Sequence, residues 1–533
     1  MIQGTGSGAG KSVIAAGLCR IFRNMGIKVA PFKAQNMALN SYITKEGGEI
    51  GRAQAFQAEA AKIDPCNDIN PVLLKAKSES GCQVILDGKV YANMRADEYY
   101  DIKEKAWKYV TEAYDRLAEE YDLIVIEGAG SPAEINLREE EIVNMKVARY
   151  TDAPVILVGD IDKGGVFASF YGTVGLLQDP VGAYGNTPLP EGDKPQKSDA
   201  DYIKAFVVNK FRGDINILRP GLRQIEDKTG KPVIGVLHYH GDLGLDEEDA
   251  IPVERWKSRH KGDYHKPVKI VVLGLRYISN FTDYDPFMYE PDVELKYSLD
   301  EMDIKSADLI IVPGSKNTVT DLLFLRENGI DGLIKTAAES GTAVAGICGG
   351  YQMLGQKILD PHNVESSHAE VEGIGLLDIE TTLDETKTTC QLSANLVSQK
   401  WFGAVQGTST CRWNQLKGYE IHMGHTTGDV GLFNIKRLNG SDDHVPDGSV
   451  KGNVWGTYIH GIFDNDGLRT SVINSLRIKK GLAPREETTC YHLKKEEAIE
   501  RWADILGKSV DICFILREVG MEYCMKNLPE DLK

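Results

Sequence analysis

The chain reads as two consecutive α/β domains, each built on a parallel sheet, and three features of the sequence predict this. Short runs rich in Val and Ile alternate with longer amphipathic segments, the pattern of buried parallel strands covered by helices on both faces. The alternation occurs twice, separated by a polar, charged stretch over 242–266. Each series carries a glycine-rich turn with a reactive side chain, one ending in Lys11-Ser12 and the other centred on Cys348. A length of 533 residues independently implies two or more domains.

In the first series the predicted strands are 28–32, 122–126, 155–158, 205–208 and 233–237, with helical patterns at 50–62 and 102–120 between them. Gly and Pro crowd 180–197, which reads as a surface loop. The first domain therefore spans 1–241 and the linker 242–266. The second series places strands at 268–273, 309–312, 343–347, 418–422 and 454–459, giving a second domain over 267–468. Beyond it, 469–533 is charged and helical in pattern and reads as a C-terminal helical extension.

Composition excludes several function classes. Asp and Glu number 78 against 61 Lys and Arg, for a net charge of -17. A nucleic-acid binder would show a basic face instead, although local basic sites still permit an anionic small molecule. Nine cysteines without close paired spacing give neither a disulfide framework nor a zinc ribbon. A reducing, cytoplasmic setting is expected. No signal-peptide pattern opens the chain, and no apolar run approaches the ~20 residues of a membrane span.

The run Gly4-Thr5-Gly6-Ser7-Gly8-Ala9-Gly10-Lys11-Ser12 is a phosphate loop. Gly6, Gly8 and Gly10 let backbone N–H groups turn toward phosphate oxygens, with the following helix adding its positive end. Lys11 would reach the terminal phosphates of ATP, and the Ser12 hydroxyl would ligate Mg2+. Thr5 occupies the place of the first glycine in the usual spacing, and only Met1–Gln3 precede the loop, so its strand is very short or begins upstream. Acidic metal partners are expected at other strand ends, where Glu127 and Asp160 stand, with Asp162 an alternative to Asp160. Asn209, ending another strand, offers an amide to the adenine edge or forms a turn.

Gly346-Ile347-Cys348-Gly349-Gly350 follows an apolar strand and enters a helix. A nucleophile on such a turn needs tiny neighbours, because its backbone is strained and closely packed. The thiol needs a base, and His460 ends another predicted strand. Backbone N–H groups at Gly314 and Gly349 are the expected oxyanion donors. His422 either acts near Cys348 or packs ordinarily. His238 and His240 have metal-ladder spacing but no supporting ligand cluster.

Further motifs fall in order along the chain. They are Pro31-Phe32-Lys33-Ala34-Gln35-Asn36-Met37, Ile50-Gly51-Arg52-Ala53-Gln54, Asn70-Pro71-Val72-Leu73-Leu74-Lys75, Glu127-Gly128-Ala129-Gly130-Ser131-Pro132 and Asn209-Lys210-Phe211-Arg212-Gly213-Asp214. With the two turns and the Gly159–Phe167, Pro313–Asn317, Tyr419–Gly424 and His460 segments, they resemble the cobyric acid synthase family over nearly the whole chain.

The resemblance implies a dethiobiotin-synthetase-like first domain and a class I glutamine amidotransferase second domain of flavodoxin-like fold. It further implies ATP- and Mg2+-dependent amidation of a corrinoid, adenosylcobyrinic acid a,c-diamide, at its b, d, e and g carboxylates. Glutamine is the ammonia donor, and Cys348 and His460 are the glutaminase pair. Motif position makes Lys33, Gln35, Asn36 and Arg52 the expected substrate contacts. Ile462 stands where the family's third triad member is often Glu, leaving Asp464 and Glu420 as candidates, and Lys163 stands where Arg is expected. Rival readings are cobyrinate a,c-diamide synthase, a partitioning-type ATPase and a corrinoid carrier. The Phe32–Met37 and Asn70–Lys75 segments disfavour the first, and the Cys348 turn disfavours the second.

Overall fold

The computed structural model describes residues 1–76, 81–99, 102–138, 140–178, 197–241, 244–245, 266–397, 415–438 and 444–528. The loop expected at 180–197 and the linker expected at 242–266 lie almost wholly outside them.

The first domain is a parallel sheet with the phosphate loop at its middle. The strand Ile2–Gly4 pairs with Val155–Asp160, followed outward by Ile203–Phe211 and Val233–His238. On its other side a bridge from Ile2 to Glu127 joins it to Leu123–Ile126, which pairs with Val29–Phe32. Parallel pairing brings the carboxyl ends of these strands to one edge, where ligands bind in open α/β sheets. The helix Lys11–Asn24 starts at Gly10, whose φ of 96° suits glycine. Ile14, Leu18, Ile21 and Phe22 lie on its buried side at helical spacing.

An excursion between the second and third sheet strands builds a separate sheet, ordered Gln35–Met37, Val72–Ala76, Gly81–Leu86, Lys89–Arg95. Asp87 and Gly88, both at positive φ, turn its last hairpin. A smaller hairpin, Ser41–Ile43 with Glu49–Gly51, projects toward the second domain.

The second domain has strand order Val293–Ser298, Val268–Leu273, Leu309–Val312, Ala343–Ile347, Val454–Thr457, all parallel, with Ser449–Lys451 antiparallel at the edge. Its first five strands have the doubly wound 2-1-3-4-5 arrangement. The strand expected at 418–422 is not in this sheet. It belongs to the long strand Leu416–Gly428, paired antiparallel with Ile379–Leu396 in a second sheet.

The C-terminal extension is not a separate unit. The helix Asp466–Lys479 puts Leu468, Val472, Ile473 and Leu476 into the second domain's core. The helix Tyr491–Ser509 instead returns to the first domain, where Ile499, Trp502 and Leu506 pack with Ile14, Leu18 and Phe22. Trp502 Nε1 donates to Val13 O (2.6 Å), and Arg20, fully buried, pairs with Glu496 and Glu500. Among the described residues no helix is long and apolar enough to cross a membrane.

Two candidate active sites

Cys348 joins the strand Ala343–Ile347 to the helix Gly349–Leu354 with φ 52° and ψ −110°. A side-chain-bearing residue holds such a backbone only when its surroundings enforce it. Here they do: a Cβ on Gly350 would overlap the carbonyl of Val312, and one on Gly346 would lie 2.7 Å from Gly350 O. The Cys348 N–H donates to Thr457 O (2.9 Å), tying the turn to the strand that delivers His460.

His460 is 1% exposed. Its Nδ1 lies 2.6 Å from Asp283 Oδ2, and the Gly461 N–H donates to Asp283 Oδ1 (3.2 Å). A carboxylate at Nδ1 fixes that nitrogen as the proton carrier. Among the described residues Nε2 has no hydrogen-bond partner. Burial alone would lower the imidazole pKa, but the Asp283 charge and then Cys348 outweigh it and raise the value to about 10. The ring also stacks on Tyr419, with centroids 5.2 Å apart.

Asp283 is thus the third member of the line, in place of Asp464 or Glu420. It sits on the 3₁₀ segment Phe281–Tyr289, upstream of Cys348 in the chain. Glu420 is drawn elsewhere: Arg437 Nε donates to it (2.7 Å), and His422 lies 3.4 Å away. With these partners Glu420 stays at a pKa of about 2 despite burial.

Both expected oxyanion positions adjoin the dyad. A Cβ on Gly314 would lie 3.4 Å from His460 Cε1, and one on Gly349 would lie 2.9 Å from Ser315 N. Cys348 and Gly349 open into a narrow cleft lined also by Asn280, Ser315, Lys316 and Gln352. Its walls follow the strands Val268–Leu273 and Leu309–Val312, where the strand order reverses and such folds bind ligands. His422 lines this cleft with its ring stacked on Tyr458. The first domain adds Lys75.

At the other site, Ser12 Oγ donates to Glu127 Oε1 (2.8 Å). Glu127 is fully buried and also accepts from Lys33 Nζ (2.8 Å), Gln57 Nε2 (2.5 Å) and Gln54 Nε2 (3.4 Å). Burial would raise its pKa, but the Lys33 charge and these hydrogen bonds hold it below the ordinary range. Lys11 curls back, with Nζ donating to Gly6 O (3.1 Å) and Gly130 O (3.3 Å).

Asp160 Oδ2 accepts from Lys210 Nζ (2.8 Å), and that ammonium also donates to Gly8 O (2.6 Å). Lys210 has a φ of 61°, and the sequence marked it only as part of the Asn209–Asp214 motif, with no role of its own. Asn209 holds the phosphate loop: Nδ2 donates to Ala9 O (2.8 Å), and Oδ1 accepts from the Lys210 N–H (2.8 Å). The amide offered to a nucleobase is therefore bonded to protein at both ends.

The four expected substrate contacts separate. Lys33 joins Glu127, and Asn36 Nδ2 donates to Gln54 Oε1 (2.9 Å) in the same network. Gln35 Oε1 instead accepts from Tyr99 OH (2.5 Å), and the Arg52 guanidinium lies 5.6 Å from the Tyr42 ring centroid. His238 and His240 pack on Phe211 and Trp502. No group of three metal-binding side chains occurs among the described residues.

Residues 269–468 match the CobB/CobQ-like glutamine amidotransferase domain, and 1–253 match the CobQ/CobB/MinD/ParA nucleotide binding domain. The chain is 49% identical over 521 residues to a cobyric acid synthase of Thermodesulfovibrio yellowstonii, spanning 98% of this chain and 99% of that one. It is 44% identical over 527 residues to one of Clostridium botulinum, with 98% and 99% covered. A third, from Thermoanaerobacter sp., is 46% identical over 517 residues, with 96% and 97% covered.

Proposed function

Because the chain belongs to the cobyric acid synthase family of glutamine-dependent amidating ligases, we propose that it amidates the b, d, e and g carboxylates of adenosylcobyrinic acid a,c-diamide. ATP activates each carboxylate and glutamine supplies each ammonia. The observation that carries this reading is the pairing, on one chain, of the buried line Asp283–His460–Cys348 in one domain with a phosphate loop in the other.

At the glutaminase site Cys348 attacks the amide carbonyl of glutamine. Backbone N–H groups around Gly314 and Gly349 receive the oxyanion. His460, held by Asp283, gives its proton to the departing ammonia, leaving a γ-glutamyl thioester. A water then attacks, His460 takes its proton, and glutamate leaves.

At the synthetase site Gly6, Gly8, Gly10 and Lys11 hold the phosphates of ATP. A corrinoid carboxylate oxygen attacks the terminal phosphorus, ADP leaves, and ammonia then displaces phosphate from the acyl phosphate. Such transfer depends on positioning and charge stabilisation more than on covalent help from the protein. Ser12 and Glu127 are hard oxygen donors side by side, and Asp160 ends the strand that flanks the phosphate-loop strand on its other side, a set that suits Mg2+ shared with substrate phosphates. These residues would hold the ion, which supplies charge neutralisation at the phosphates. Gln35 and Arg52 are assigned to the corrinoid, Arg52 through its charge.

Mass spectrometry of corrinoid incubated with ATP and glutamine tests this reading. Four successive single-amide mass changes are expected. Cys348→Ala should lose glutamine use and keep amidation from ammonia, whereas Lys11→Ala should lose both. Glutamine use surviving in Cys348→Ala would remove the nucleophile assignment.

A further inference from the structure

We propose that Lys316 and Glu365 are the receptor for the two charges of glutamine, Lys316 taking the α-carboxylate and Glu365 the α-ammonium. This rests on the reading of Cys348 as the glutaminase nucleophile. Both residues line the cleft into which Cys348 opens.

The charges in and behind that cleft are shared unevenly. Lys75, Lys316 and Lys387 supply ammoniums there, and Glu49 and Glu365 carboxylates, with Asp360 behind Glu365 accepting its N–H. Glu49 is shared by two of the cations: Lys75 Nζ donates to it (2.8 Å), and Lys387 forms a short ion pair with its other oxygen. Lys316 is left with the neutral amide of Gln83, to which Nζ donates (3.1 Å). Glu365 accepts the Thr318 N–H (2.7 Å) and Val319 N–H (3.4 Å) through one oxygen, at the start of the helix Thr318–Glu327.

Lys316 and Glu365 feel each other's charge, yet they form no direct ion pair. A cation and an anion kept apart beside a nucleophile are complementary to a molecule carrying both charges at one end and a carbonyl at the other. Free glutamine is such a molecule. Burial, reinforced by Lys387 and Lys75, lowers the Lys316 pKa to about 7, and burial raises that of Glu365 to about 7. An arriving carboxylate favours the charged ammonium, and an arriving ammonium favours the charged carboxylate. Each half of the ligand thus stabilises the charge that binds it.

Glutamine analogues separate this role from a merely structural one. Glutaramate lacks the α-ammonium, and 4-aminobutanamide lacks the α-carboxylate. Ammonia release from all three is measured as kcat/KM in the wild type, Glu365→Gln and Lys316→Met. The wild type should prefer glutamine over either analogue by about 10- to 100-fold, the scale of one charged hydrogen bond. Glu365→Gln should lose the preference over glutaramate and keep that over 4-aminobutanamide. Lys316→Met should do the reverse, and Lys316→Arg, which keeps the charge, should retain both preferences at a lower rate. The assignment is overturned if either variant changes the two preferences equally or changes neither. If wild-type enzyme releases no ammonia from glutamine, the nucleophile reading itself fails, a result distinct from lost discrimination.

Discussion

A histidine as buried as His460 loses the hydration that would support its charged form, so its protonation depends on what touches it. Asp283, 2.6 Å from Nδ1, supplies that support and also fixes the ring's orientation. Replacing the carboxylate with an amide removes both effects. Asp283→Asn should therefore lower glutamine-dependent kcat by about 10²- to 10⁴-fold, as the loss of an orienting acid does in comparable triads, with KM changed little. Steady-state glutaminase assays check this. A stability effect accompanies it, with a defined sign. The folded pKa of His460, about 10, lies above its ordinary 6.5, so the pair's stabilisation is complete below about 6.5 and is lost as pH rises through about 10. The excess stability of wild type over Asp283→Asn in urea melts should be greatest near pH 6 and shrink toward pH 10. An excess that instead grew with pH would show that Asp283 does not hold His460 protonated. Cys348 was marked in the sequence by its glycine turn after an apolar strand, and His460 by that turn together with the family resemblance. Asp283 was not, because in the 3₁₀ segment Phe281–Tyr289 the three-residue spacing of Phe281, Tyr284 and Phe287 marks core packing and gives no sign of an inward-facing carboxylate.

At the level of elements, two glycines in helices have opposite meanings. Gly350 begins the helix after Cys348, where any Cβ would collide with the Val312 carbonyl in the neighbouring strand. Because that obstacle is backbone, Gly350→Ala should destabilise the second domain by more than about 3 kcal/mol and abolish glutamine use. Gly332, in the helix Ile330–Glu339, has open space at its Cβ position and no positive φ. Gly332→Ala should stabilise by about 0.5–1 kcal/mol with activity intact. Thermal melts of the two variants decide this, and equal shifts would contradict the packing argument. The same contrast explains which elements could be read in advance. The central parallel strands, buried on both faces, are continuous apolar runs and were found within a few residues of their observed ends, whereas the half-exposed edge strand Val293–Ser298, which alternates Glu294 and Lys296 with apolar residues, was missed. Ile379–Leu396 alternates Thr and charged residues with apolar ones across a sheet exposed on one face, so it offers no run. Lys89–Arg95 is an exposed edge strand, and its only strong signal was the Asp87-Gly88 turn before it. The strand at Leu416–Gly428 was seen but assigned to the wrong sheet, since an apolar run does not reveal its pairing partner.

Across the whole molecule, the question is how the two chemistries stay in step when one site makes ammonia and the other consumes it. The hairpin Ser41–Ile43/Glu49–Gly51 of the first domain reaches the residues around His460 directly. The Ser41 N–H donates to Asn280 Oδ1 (3.0 Å), and Asn280 Nδ2 lies 3.4 Å from His460 Nδ1. The Phe281 N–H donates back to Asn40 Oδ1 (3.0 Å), two residues from Asp283. Beneath this contact Glu49, 1% exposed, bridges Lys75 of its own domain and Lys387 of the other. Burial opposes its charge, but Lys387 and Lys75 hold its pKa far below the ordinary 4.5. Its contribution is therefore complete above about 4.5 and is lost only as pH falls through the depressed value. Glu49→Gln leaves both ammoniums buried without a carboxylate, a change that costs about 3–5 kcal/mol in comparable sites. Much of that cost is relieved if the domains loosen and water enters. The variant should then still hydrolyse glutamine while delivering less ammonia to the corrinoid. The measurement is glutamate released per amide formed, which should be near one in the wild type and rise several-fold in Glu49→Gln. Asp64→Asn, which breaks the exposed pair with Lys45 on the same hairpin, should leave the ratio unchanged, because exposed pairs contribute little. If Glu49→Gln keeps the wild-type ratio while losing stability, the clasp is structural only, and the coupling of the two sites lies elsewhere along the interface.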